Sequence, residues 1–100
     1  MKKGIVMNTA NPQLEGLYLA FAAINRLLVD KGLVRHSEIE KVLQDAEQIV
    51  LDDKHPLTVS QSHQKAVAFP IRILLLANGA AEKGESFGFE DLAREVGRRT

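Results

Sequence analysis

The sequence predicts an all-α protein, a small four-helix bundle, and three stretches carry that prediction. Leu14 to Leu33 places apolar residues at helical spacing over its whole length. Ser37, with Glu40 three residues on, opens a second stretch whose apolar residues form a one-sided stripe. A third apolar run, from Val59 to Glu82 or Lys83, keeps the helical period and is interrupted only by Pro70.

The first helix is expected to be the centre of the bundle. At about 100° per residue, Leu14, Leu17, Tyr18, Phe21, Ile24, Leu28 and Val29 share one side, and Ala20, Ala22 and Leu27 widen it. Glu15, Arg26 and Asp30 occupy the narrow wet strip that remains. So wide an apolar arc asks for neighbours in several directions, from sister helices or from another subunit. Asn11 as N-cap and Pro12 at the first position mark the start. Gly32 marks a stop at Lys31 or Gly32, with Leu33 folding back against Leu28.

The second helix is expected to begin at Glu38 and to lay Ile39, Val42, Leu43, Ala46, Ile49 and Val50 on the first, forming a helical hairpin. Asp52 to Pro56 reads as a loop. Thr58 and Gln61 then suggest a capping box for the long third helix, expected to continue past Pro70 as a single bent rod. Gly84 ends it. A short C-terminal helix follows, with Phe89, Leu92, Ala93 and Val96 at helical spacing and Gly97 as its stop. Residues 1–10 read as an irregular arm, and residues 1–100 as one helical domain with no repeat or linker. The core is expected at Leu17, Phe21, Ile24, Leu28, Val42, Leu43, Ala46, Val50, Ile73, Leu74, Leu76 and Leu92.

Of 100 residues, 45% are hydrophobic and 26% charged, and 13 basic residues balance 13 acidic ones. No global field draws such a chain to nucleic acid or an anionic membrane. With no cysteine, disulfides and thiolate chemistry are excluded, which fits a cytoplasmic setting. The start MKKGIV lacks the apolar core of a secretory signal, and no apolar run is long enough to span a bilayer.

Candidate chemistry is sparse. His36, His55 and His63 make no ligand pair by spacing, and a cluster of His55, His63, Asp52 and Asp53 would depend on folding; no metal or other cofactor is expected. The serines near helix starts read as caps, and no glycine-rich phosphate loop is present. Asn25 stands out, a polar residue inside the apolar arc and close to Tyr18 along the helix. Burial obliges its amide to find partners, either in a loop carbonyl, in its own copy across a dimer axis, or in a ligand pocket.

Residues 89–100, FEDLAREVGRRT, locally resemble the first helix and turn of a helix-turn-helix DNA reader. The resemblance implies nucleic acid as a partner, although no recognition helix follows before Thr100; apart from it, Arg94, Arg98 and Arg99 make a basic end open to phosphate, to a partner's acidic side or only to water. The function expected from the sequence is non-enzymatic: protein–protein association, above all as a homodimer through the first or third helix. A nucleic-acid accessory factor using the arginine-rich end, and a small-ligand binder or enzyme with a pocket around Asn25 and Tyr18, are the alternatives.

Overall fold

The structure, a computed structural model, describes residues 10–52 and 61–99, and these form four helices with no strand among them. They are α1 (Ala10–Asp30), α2 (His36–Leu51), α3 (Gln61–Glu82) and α4 (Phe89–Arg99). Residues 1–9 of the predicted 1–10 arm, the Thr58 cap, the Val59 helix start and most of the 52–56 loop lie outside the described residues, and Ala10, expected in the arm, is helical.

Glycine closes two of the helices in the same way. Gly32 has a φ of 73° and Gly84 a φ of 78°, left-handed values that cost a residue without Cβ nothing. Around Gly32 the chain turns back, with the Leu33 amide donating to the Leu28 carbonyl at 3.0 Å and the Gly32 amide to Val29 at 2.9 Å. The Glu85 and Gly84 amides repeat the pattern on Ala80 and Ala81 at 2.8 and 3.0 Å. The stop at Gly32 matches the sequence reading in backbone only, since the Leu33 side chain stays 67% exposed.

Three predicted boundaries shift. α1 begins at Ala10, so Asn11 and Pro12 lie inside its first turn rather than at its cap. α2 begins at His36 instead of Glu38. Its N-cap is Arg35, in extended backbone, and the Glu38 carboxylate accepts the Arg35 amide at 2.8 Å, a bond expected from Glu40 to Ser37. α4 runs through Gly97 to Arg99, because that glycine keeps a negative φ and does not act as a stop.

The larger correction concerns the hub. α3, not α1, is the helix on which the others pack: its contact with α2 is the most extensive, that with α4 is next and that with α1 is the slightest of the three. The 22-residue α3 passes through Pro70 as one continuous helix, the proline ring removing the amide that would otherwise reach the Ala66 carbonyl. Ile73 of α3, 1% exposed, forms the core with Leu92 and Val96 of α4, and Tyr18, Phe69, Leu76, Ala77, Phe89 and Ala93 pack around them. Ile39, Ala68 and Ala80 complete the buried apolar set.

Several expected core residues are consequently outside. Leu17 is 56% exposed, Phe21 48%, Ile24 54%, and Val42 is exposed as well, while Leu28, Leu43, Ala46 and Val50 are half-buried. The expected α1–α2 hairpin does not close, and no substantial contact joins these helices among the described residues. α2 uses Ile39, Leu43, Ala46 and Val50 to dock on α3, and Arg72 of α3 holds Glu47 of α2 through Nε–Oε2 at 2.6 Å, a half-buried ion pair. α1 is attached at its Tyr18 side, where that ring meets Phe89 of α4 with centroids 5.6 Å apart and planes tilted by 51°.

Candidate functional site

Because α1 and α2 stand apart on α3, an open trough remains between them. It encloses about 690 Å³. Its walls are Leu14, Leu17, Phe21 and Leu28 on α1 and Ile39, Val42 and Leu43 on α2, and its floor is Pro70, Ile71, Ile73 and Leu74 of α3. Among the described residues Glu38 is the one carboxylate on this lining, and Tyr18 and Asn25 are the other polar side chains. Beside the trough, on the outer flank of α1, Ile24 and Leu27 continue the apolar surface as a ridge, 54% and 52% exposed. Water wets this surface at a cost of about 25 cal/mol per Å² relative to burial.

On the other side of α1 lies a second, more polar cavity of about 320 Å³, between α1, the start of α2 and the turn joining α3 to α4. Asn25, Arg26, Asp30, His36, Asn78, Glu85 and Ser86 contribute its polar groups, and Tyr18, Leu74, Leu92 and Phe87 are among its apolar ones. Asn78 organises it. Only 7% exposed, Asn78 donates from Nδ2 to the His36 carbonyl at 2.9 Å and accepts at Oδ1 from the His36 ring Nδ1 at 2.8 Å. Since a carbonyl only accepts, the first bond fixes which end of the amide is Nδ2; Oδ1 then faces the ring, and Nδ1 must carry the proton. The two bonds tie the start of α2 to the end of α3 across 42 positions of sequence.

The structure brings Asn25 and Tyr18 together, since both line both cavities. Among the described residues the Asn25 amide bonds no loop carbonyl, and it is only half-buried, so its donor and acceptor open toward the cavities. Burial pushes the Tyr18 phenol above its ordinary pKa. His36, which spacing alone gave no partner, is held against Asn78.

The arginine-rich end is drawn into its own helix. Arg94 pairs with Asp91 at 3.2 Å, Arg99 with Glu95 at 2.7 Å, and Arg98 also bonds Glu95. The Arg99 and Arg98 hydrogen bonds hold the Glu95 carboxyl below its usual range. With Glu90, Asp91 and Glu95 against Arg94, Arg98 and Arg99, α4 carries no net charge and presents no basic stripe. Of His55, His63, Asp52 and Asp53, which only folding could join into a cluster, His55 and Asp53 lie outside the described residues, and no group of three His, Cys, Asp or Glu among the described ones is placed to hold a metal. No described helix is long and apolar enough to cross a membrane.

Asn78 escaped the sequence reading. Its only signal is a lone amide inside the run Leu74 to Ala81, and helical spacing alone does not reveal that His36 would meet it. Comparison of the chain with family models, with curated proteins and with solved structures yields no match.

Proposed function

We propose that this chain is a non-enzymatic cytoplasmic assembly protein that works as a homodimer, a second copy lying over α1 and its trough. The observation that carries the reading is the apolar trough of about 690 Å³ with an apolar ridge beside it on the same helix. An isologous two-fold contact requires a surface that complements itself, and a ridge next to a trough is such a surface: each α1 can fill the trough of the other. The 16 residues that line the trough and the two of the ridge approach the roughly 20–30 a side that a standard interface of about 800 Å² per partner employs.

Charge supports a second copy over other occupants. The chain has no net charge, so two copies do not repel, and a face with so little charge offers neither phosphates nor lipid headgroups a counter-ion. The arginines of α4, each bonded to a carboxylate of its own helix, support the nucleic-acid alternative less.

Sedimentation velocity over a dilution series tests the reading. A dimer is expected for the native chain and a monomer of unchanged helicity for the double variant Leu17→Glu, Ile24→Glu. A native chain that sediments as a monomer at every concentration overturns it.

A further inference from the structure

We propose that the polar cavity between α1, the start of α2 and the α3–α4 turn is a binding site for a small neutral planar molecule with adjacent hydrogen-bond donor and acceptor atoms, the chemistry of a nucleobase. The site does not require the dimer, although Asn25 and Tyr18, which lie between the two cavities, line the trough as well.

The cavity is a built one. Its deepest polar group, Asn78, has its carbonyl and an amide hydrogen engaged by His36 and serves as a fixed strut. That strut orients the imidazole: with Nδ1–H donating to Asn78, the matching tautomer has its lone pair on Nε2, which meets no hydrogen-bonding group among the described residues. Asn25 adds an amide that is likewise unengaged among the described residues and supplies a donor and an acceptor side by side. Two acceptors and one donor converge on a space of about 320 Å³, at the lower end of the size range of small-molecule sites.

The class of ligand follows from what these groups complement. An amide side chain pairs bidentately with a molecule edge that presents an N–H beside a ring nitrogen or carbonyl, as asparagine does with a nucleobase edge. The ring of Phe87 lines the same cavity and is 52% exposed, leaving an aromatic face on which a flat ligand can stack. Of the charged lining residues, Arg26 stands with Asp30 and Glu85, all solvent-exposed, one cation against two carboxylates, a balance that disfavours an anion. The phenol of Tyr18, kept protonated by burial, adds no charge.

Titration of the native chain with adenine and, separately, cytosine, followed by side-chain amide and backbone NMR shifts, tests the site, with benzoate as a planar anion and cyclohexanol as a non-planar neutral control. The nucleobases are expected to move the Asn25 side-chain amide together with Ala77 and Ala81, and the controls to move neither. Asn25→Leu should weaken binding by about tenfold or more, as the loss of a paired donor and acceptor predicts, while leaving helicity unchanged; because Asn25 lines the trough as well, the comparison is made on the Leu17→Glu, Ile24→Glu background, where association plays no part. Leu17→Glu, Ile24→Glu should bind as the native chain does, so that failure of the dimer and failure of the site are read apart. No shift with either nucleobase at millimolar concentration, equal response to benzoate, or undiminished binding by Asn25→Leu overturns the proposal.

Discussion

Asn78 shows how one amide can decide a junction. It is nearly buried, and both of its bonds go to His36. Replacing it by leucine strands the His36 ring proton and carbonyl, so Asn78→Leu should cost about 1–3 kcal/mol of stability, read from the urea midpoint. Tyr18 gives a second measurement at this scale, because it is the only tyrosine and there is no tryptophan. Its phenolate absorbance should rise at a pH above the ordinary tyrosine value of 10.0 in the folded chain and return to that value in denaturant. The folded state then holds the proton longer than the unfolded state; the associated stability is intact below the unfolded pKa and is lost as pH climbs through the raised one. Glu95 has the opposite sign: its lowered carboxyl adds stability above the unfolded pKa that fades as pH falls through the folded one. Sequence patterning singled out Asn25, because it interrupts an apolar arc that includes Tyr18, and left open whether it bonds a loop carbonyl, its own copy or a ligand. It missed Asn78 because the reason for that residue is a long-range partner, and spacing along a helix carries no long-range information.

At the level of the helix, glycine position separates two conformations that look alike in sequence. Gly84 sits at a left-handed φ of 78°, whereas Gly97 lies within α4 with open space where a Cβ would go. Gly97→Ala should therefore stabilise the chain by about 0.5–1 kcal/mol, and Gly84→Ala should destabilise it, by denaturant unfolding. A loss of stability in Gly97→Ala would mean that the helix ends there after all. All four helices were legible from periodicity, and α3 was rightly expected to continue through Pro70. The neighbours were not. A helical wheel gives the direction of an apolar face but not what lies opposite, and the stripes of α1 and α2 could equally have met or faced each other over a gap. They face over a gap because α3, with Ile73 and Leu74 between them, is broad enough to seat both.

For the molecule as a whole, the described helices form a slab around α3 whose apolar surface is only partly internal. Among the described residues, Leu17, Leu19, Phe21, Ile24 and Leu27 of α1 and Val42, Ile49 and Leu51 of α2 are all exposed large apolar side chains. A homodimer that covers them links folding to association. The thermal midpoint should then rise with protein concentration for the native chain and stay constant for Leu17→Glu, Ile24→Glu, measured by calorimetry. A midpoint independent of concentration in both would argue that the surface serves another partner.

The unequal attachment of α1 has a kinetic counterpart. In dilute solution its backbone amides should trade hydrogen for deuterium sooner than those of α2 and α3, since peeling away one outlying rod disrupts only the Tyr18–Phe89 seam and its few neighbours. As concentration rises and the twin subunit clamps that rod from outside, the early exchange should slow until the whole chain opens as one.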